Sequence, residues 1–319
     1  MSEVLCAGIL VADTFCGPMD ELPIEGQLLA LDEMPAKAGG CAANVAISLG
    51  KQGIAADVAG RLGNDPAAQI ILSSLNKMNV GCDFIRFSDT QPTSQTVILL
   101  VRGQDRRYIH VFGANKEFSV ASIDRAWLKN IKVFYLGGLY AMPGINTTEL
   151  RDLLKFCRSN NIVTVLDVVI PKEQRDFQGM FDLLRYVDFF VPNDDEARQM
   201  TAATDVLDQV RVFQSYGANT VIITQGGAGC CAVQGSQVWR AGVFPLEAVD
   251  LSGSGDAFTA GLIVGILRDW DVPRMLSYAS AIGASSTRAV GTTDGVFTAA
   301  EAEAFLSSAS LEIIYEKLD

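Results

Sequence analysis

The stretch Asp250-Leu-Ser-Gly-Ser-Gly-Asp256-Ala-Phe-Thr-Ala-Gly-Leu-Ile-Val264 joins a glycine-punctuated turn to one acid and then to an apolar run long enough for a buried helix. The turn Gly253-Ser254-Gly255 leaves little to shield the backbone amides that open such a helix, and these amides, with the helix dipole, attract anions. Asp256 therefore stands where phosphate chemistry would want a base. The same carboxylate could serve only as a helix N-cap, so the choice between the two depends on the rest of the chain.

At 319 residues and 49% apolar composition, the chain has ample material for a buried core in an α/β protein. Its formal charge of −12 and pI near 4.6 argue against nucleic acid or an anionic membrane as partner, since both reward clustered Lys and Arg. An anionic ligand must then be held by local devices: amides, a few cations and metal. Seven scattered cysteines without a Cys-x-x-Cys pair suggest reduced thiols rather than a disulfide framework or a zinc site. His110 is the single histidine. It lies in a strand-like run, Tyr108 to Phe112, which leaves little basis for a Ser-His-Asp or Cys-His centre. The N-terminal residues show no basic region followed by a cleavage site, and the longest apolar run, residues 257–267, is too short to span a bilayer. A cytoplasmic location without membrane contact is the expectation.

From about residue 130 onward, short β-rich runs alternate with amphipathic stretches. The runs are Val133–Leu136, Val163–Leu166, Phe189–Val191 and Val221–Thr224, and the stretches are 147–159, 173–186 and 205–216. This alternation predicts a parallel sheet with crossover helices. Residues 256–268, 273–288 and 298–308 read as three further helices packed on it. Two segments interrupt the rhythm, about 13–37 and 93–112. The second holds Thr96 to Val101, a polar turn at 102–106, and Arg107 to Phe112, a hairpin pattern. Together they predict a discontinuous β lid on a chain that otherwise forms one unit, 1–319.

No P-loop motif is present. Gly227-Ala-Gly229-Cys-Cys-Ala232 loosely matches a dinucleotide turn, but Cys230 to Val233 reads as a strand where that site needs a helix. Thr224-Gln-Gly-Gly-Ala-Gly229 can be a ligand-binding strand end or a plain hairpin turn. Ala38-Gly-Gly-Cys-Ala-Ala-Asn44 is a Gly-Gly turn entering a small-residue helix. Asn44 there offers both donor and acceptor, either to a hydroxylated ligand or to loop backbone.

Taken together, Gly39-Gly40-x-x-x-Asn44 and Asp250-x-x-Gly253-x-Gly255-Asp256 resemble the two signatures of the ribokinase-like (PfkB) family of sugar kinases. Between and after them, Gly60-Arg-Leu-Gly63-Asn-Asp65, Gly113-Ala-Asn115, Asn193-Asp-Asp-Glu196, Thr224-Gln-Gly226 and Gly291 to Gly295 match in the same order, so the resemblance covers essentially the whole chain. It implies a three-layer α/β/α ribokinase-like fold with a mainly parallel central sheet and a small β-sheet lid over the sugar. It further implies transfer of the γ-phosphate of ATP to a primary hydroxyl of a sugar or sugar acid. By this resemblance Asp256 is the catalytic base, and the amides of Gly253, Ser254, Gly255 and Asp256 form an anion hole. That agrees with phosphoryl transfer as mostly positioning plus charge stabilisation.

The resemblance also implies that Asp13, Gly39, Gly40, Asn44 and Asn115 bind the sugar, and that Thr224, Gly226 and Gly229 line the nucleotide pocket. Asn193 lies near the phosphates, and Glu196 acts on Mg²⁺ through its water shell, in keeping with that ion's slow dehydration. As bare sequence, Asn193 to Glu196 is also a helix N-cap with an acidic first turn, and the two readings can coexist. Asp13 alone could begin an Asx-turn. Asp250 and Ser252 fall where many members bind a monovalent cation, which brings potassium into view. Departures are Leu251 for Thr, Ser254 for Ala, Ala68 for Gly, Asp167-Val-Val for Asp-Pro-Asn, and Cys41 where ribokinases carry Lys. Alternatives are a nucleoside kinase of the same family, or a sugar-binding regulator that lost catalysis. The thin lid, apolar on both faces, implies a homodimer formed through it.

Overall fold

The computed structural model describes residues 2–318. The first third comprises β1 (Val4–Gly8), β2 (Val11–Met19), β3 (Ala36–Gly39), α1 (Cys41–Lys51), β4 (Ala56–Gly63), α2 (Pro66–Lys77), β5 (Gly81–Ser88), β6 (Ser94–Val101) and β7 (Arg107–Val111). Then follow α3 (Arg125–Leu128), β8 (Val133–Gly137), α4 (Thr147–Ser159), β9 (Val163–Leu166), α5 (Gln178–Phe181), β10 (Phe189–Phe190), α6 (Asp194–Thr201), α7 (Val206–Ser215) and β11 (Thr220–Thr224). The last third holds β12 (Cys230–Gln234), β13 (Gln237–Ala241), α8 (Ser254–Leu267), α9 (Val272–Ser286), α10 (Ala299–Ser308) and β14 (Ile313–Lys317).

Ten strands form one sheet in the order β14-β13-β12-β11-β10-β9-β8-β1-β4-β5. From β11 to β5 every neighbouring pair is parallel, and the β12, β13 and β14 edge is antiparallel. All five residues of β1 and of β8 are buried, so this part of the sheet is covered on both faces, as the near-continuous apolar strands require. The parallel part is the sheet predicted from the alternation, and the whole is the three-layer α/β/α architecture that the resemblance implies. The crossover helices start where their caps dictate. Asp65 accepts from Ala68 N with Pro66 in the first turn of α2, Asn146 accepts from Thr148 and Glu149 N at α4, and Thr298 and Glu301 form a capping box at α10.

The amphipathic stretch 173–186 does not become one helix. It holds the single turn of α5 and a short 3₁₀ turn at Leu184–Tyr186. Residues 173–176 carry no apolar side chain to bury, and Arg175 and Gln174 turn their side chains onto nearby carbonyls. The edge strand β14 was not anticipated from the sequence, because it leaves most of its residues exposed.

A separate four-stranded sheet has the order β3-β2-β6-β7, in the two segments that interrupt the βα rhythm. Strands β6 and β7 are the expected hairpin, with Thr96 opposite His110 and Ile98 opposite Tyr108. Partners across these strands share a face. One face therefore carries Asp13, Thr96 and His110 together with Phe15, Ile98 and Tyr108; the other carries Val97, Leu99, Ile109 and Val111.

In the C-terminal layer α8 packs on α9 through glycine. A Cβ at Gly261 would lie 2.7 Å from Ala279 Cα, so only glycine allows this approach of the two backbones. The apolar run after Asp256 is thus buried on nearly all sides, and Ala257 to Gly265 are all buried. No helix among the described residues is long and apolar enough to cross a membrane. All seven cysteines are free.

Candidate active site

The motif residues collect at the C-terminal ends of the parallel strands, where open α/β sheets place their ligands. Helix α8 opens there with Gly253 as N-cap in the left-handed region (φ 76°) and with no side-chain cap. A Cβ at Gly253 would lie 2.8 Å from Thr292 Cα, so the turn sits directly on the 290–296 segment. A Cβ at Gly255 would meet nothing within 4 Å: the space in front of the helix start is open. Such a start leaves its first amides without intrahelical partners, and of these Ser254 N donates to Leu251 O at 3.4 Å.

Asp256 lies in the first turn of α8, half-buried. Asn44, buried in α1, donates from Nδ2 to Asp256 Oδ2 at 2.8 Å and accepts at Oδ1 from the Thr292 hydroxyl at 2.7 Å. The Asn44 amide is thereby fixed in one orientation, with its donor end on the carboxylate. Burial raises the Asp256 carboxyl above its ordinary value, against hydrogen bonds from Asn44 and Cys41. Gly39 and Gly40 place α1 so that this happens. Gly39 lies against the Asp13 carboxylate, and Gly40 turns the chain (φ 86°) into the helix.

Asp13 is buried at the edge where the small sheet meets the site. Burial pushes its carboxyl from 3.8 up to about 7, with a hydrogen bond from Thr96 opposing and the charges of Asp256 and Asp250 adding to the rise. Asp167, the residue after β9, accepts from the Tyr135 hydroxyl at 3.1 Å. Cys41, Asp167 and Asp256 bring one ligand atom each within 4.8 Å of one another. Asp167 is raised well above its ordinary value by burial first, then by Asp256 and Glu196.

Asn193 and Glu196 form a capping box at α6, with Glu196 N donating to Asn193 Oδ1 and Asn193 N to Glu196 Oε2, both at 2.9 Å. Glu196 nevertheless belongs electrostatically to the site: its carboxyl is raised by burial, with Asp256 contributing. The helix-cap reading of this motif is thus realised, and Glu196 lies within electrostatic reach of Asp256. Asn193 bridges Thr224 at the end of β11, and the turn of Gly226 to Gly229 follows, leading into the antiparallel β12. The turn is thus a hairpin connection at the end of a parallel strand.

Two residues named from sequence have their side chains engaged elsewhere. Asn115 is buried and uses both ends of its amide on the Leu10 backbone, at 3.1 and 3.2 Å, so it pins the corner between β1 and β2. Asp250 accepts from Ser252 N and Oγ at 3.0 and 2.8 Å and from Gly291 N at 3.0 Å. It ties the turn before α8 to the 290–296 segment. His110 is a strand residue of the small sheet, its Nδ1 3.0 Å from Thr96 Oγ1.

Thr292, Asp167 and Tyr135 were given no role on sequence grounds. Asp167 had a signal, since an acid directly after a parallel strand falls on the sheet's binding edge. Thr292 had only the glycines on either side of it.

The raised acids set a pH dependence for the ligand-free protein. An acid whose folded value lies above its unfolded one stabilises the fold when protonated, and that contribution is lost as pH rises through the interval. For Asp13 the interval runs from 3.8 to about 7. Thermal unfolding without ligand should therefore occur at lower temperature at pH 8 than at pH 5, and Asp13→Asn should flatten this trend. Identical slopes for the two proteins would show that Asp13 is not perturbed.

The pfkB family carbohydrate kinase pattern matches residues 1–299. An ATP-dependent 6-phosphofructokinase from Thermoanaerobacterium thermosaccharolyticum is 23% identical over 262 residues, covering 79% of this chain and 80% of the relative. The structure of Arabidopsis thaliana ribokinase with ribose and ATP aligns with a TM-score of 0.81 at 22% identity, covering 97% of this chain and all of the other. A candidate ribokinase II from E. coli, solved with ATP and Mg²⁺, aligns at 0.84 with 21% identity and the same coverage. At these identities the structural likeness shows a shared fold. The family match extends over nearly the whole chain and takes in both glycine turns and the acid they surround: the chain belongs to the pfkB family of carbohydrate kinases.

Proposed function

We propose that this carbohydrate kinase transfers the γ-phosphate of ATP to a primary hydroxyl of a sugar or sugar acid, with Asp256 as base and the amides of Gly253 to Asp256 as anion hole. The observation that carries the reading is the open, uncapped start of α8 with the Asn44-bonded carboxylate of Asp256 in its first turn. Asn44 holds Asp256 Oδ2 and the Cys41 thiol also donates to the carboxylate, which in this reading takes the proton of the attacking hydroxyl. A carboxyl raised by burial is a better proton acceptor once ionised, while the helix amides offset the charge that builds on the transferring group.

Mg²⁺ fits this centre. Asp256 and Glu196 raise Asp167, and Asp256 raises Glu196, so acidic oxygens gather here, and oxygen ligands are what the ion prefers. Glu196 through water, with Asp167, would hold it. Bound there, it would neutralise phosphate charge during transfer. Asn193, Thr224, Gly226 and Gly229 line the nucleotide side in this reading, and Asp13, Gly39 and Gly40 the sugar side.

The acceptor side continues into a cavity of about 750 Å³ between the turn of the small sheet and residues 248–251. Leu100, Val249 and Leu251 give it apolar walls, and Arg102 and Arg106 line it from the turn. Arg106 Nε lies 3.4 Å from Asp105 Oδ1, Arg102 Nε lies 3.1 Å from Asp20 Oδ1, and the Arg106 guanidinium lies over the Tyr108 ring. An anionic acceptor group would meet both guanidiniums here, in competition with Asp20 and Asp105, which favours sugar acids over neutral sugars. ADP release from Mg-ATP across pentoses, ketohexoses, sugar acids and nucleosides tests the reading. A sugar acid should lead, and Arg106→Gln should raise its KM about tenfold with kcat little changed. A nucleoside as the leading acceptor, or silence across the panel, would overturn the reading.

A second copy of the chain would cover the outer face of the small sheet, where Ile109 and Val111 are 63% and 52% exposed beside Val97 and Leu99. Sedimentation should show a dimer that Ile109→Glu dissociates; a wild-type monomer would refute this contact.

A further inference from the structure

The segment from Val290 to Val296 forms the floor of the site, yet it has almost no backbone hydrogen bonds of its own. Only Val296 N to Thr293 O, at 3.2 Å, lies wholly within it. Its carbonyls turn instead to the protein's own cations. Lys51 Nζ donates to Thr293 O, Asp294 O and Val296 O at 2.7, 3.0 and 3.1 Å. Lys37 Nζ donates to Val290 O at 2.7 Å and pairs with Asp294 Oδ1 at 3.1 Å. Arg288 donates to Gly295 O at 2.7 Å and packs over the Phe297 ring.

An ammonium has three donors, and at Lys51 all three are used on carbonyls of this one turn. Carbonyl rings of this kind also hold potassium in place of its water shell. Lys51 follows Asn44 by seven residues on α1, which sets both on one face of the helix, toward Thr292 to Val296. Thr292, fixed between these anchors, donates to Asn44 Oδ1 and backs Gly253.

We propose that Lys51 is a positioning residue for phosphoryl transfer: as a tethered monovalent cation it holds the 290–296 turn so that Thr292 orients Asn44 and supports the start of α8, and the centre needs no added potassium. This rests on the reading of Gly253 to Asp256 as the anion hole. Lys37 and Arg288 flank the same turn, and Asp250, already bonded to Ser252 and Gly291, closes it from the other side.

Amide hydrogen exchange of residues 250–256 and 290–296, in tetramethylammonium chloride and in potassium chloride at equal ionic strength, tests this without an acceptor sugar. Wild type should exchange alike in both salts. Lys51→Met should exchange about tenfold faster in these two segments in tetramethylammonium and return toward wild type in potassium, while Lys51→Arg should resemble wild type. With Mg-ATP and an accepted sugar, Lys51→Met should lose about tenfold in kcat, with KM for ATP within about twofold and the loss reversed by potassium.

Potassium-dependent exchange in wild type would overturn the inference. So would Lys51→Met behaving like wild type, or loosening throughout the chain without rescue by potassium. Should Lys51→Met fail to fold, the wild-type salt comparison and Lys51→Arg still decide. Inactivity on every sugar with the exchange pattern as expected would instead sink the phosphoryl-transfer reading.

Discussion

The hydrogen bond from Asn44 to Asp256 is the contact on which the rest of the site depends. It joins the first helix of the chain to the first turn of α8, 212 residues later, at 2.8 Å, and it has one orientation because Thr292 takes the other end of the amide. The Gly-Gly turn before α1, the left-handed Gly253 before α8 and the 290–296 segment are the conditions for that contact. Gly253 leaves room for Thr292, and Gly39 leaves room for Asp13. The glycines of both sequence signatures therefore act through packing as much as through exposed amides.

Charge is the second constraint. The chain is strongly acidic, and four of its carboxyls, at Asp13, Asp167, Glu196 and Asp256, sit in or beside one cleft with their ionisation opposed by burial, and at the first three by neighbouring acids as well. Such a cleft is poorly suited to a polyanionic nucleotide unless positive potential comes from elsewhere. In the proposed reading, helix-start amides and a divalent ion would supply it on the nucleotide side, and Arg102 and Arg106 on the acceptor side. Below the site, lysine and arginine side chains hold carbonyls rather than carboxylates, with only Lys37 doing both. The cations that organise the floor are thus largely kept apart from the acids.

The sheet and its covering helices were legible because strand runs such as Val133 to Leu136 and helix starts such as Asn146 and Thr298 are local signals. The hairpin of the small sheet was equally plain in its alternation and polar turn. Residues 173–186 misled because amphipathic spacing says nothing about whether a polar first turn has anything to bury, and β14 because an exposed edge strand carries little pattern. In the site, the motif positions came into view through glycines and acids. Thr292, Tyr135 and Lys51 did not, because their partners are more than thirty residues away or are backbone carbonyls, and no spacing rule encodes a carbonyl's direction. Asn115 was visible as a motif residue, but its contact with the Leu10 backbone was not.

The most direct test of the account is the single-turnover rate of Asp256→Asn with Mg-ATP and the best acceptor, measured beside thermal stabilisation of the same protein by Mg-ATP. Asparagine keeps the shape and a hydrogen-bonding oxygen but cannot take a proton. The account predicts a rate about a thousandfold below wild type with nucleotide stabilisation retained. A rate within about tenfold of wild type would contradict Asp256 as the base.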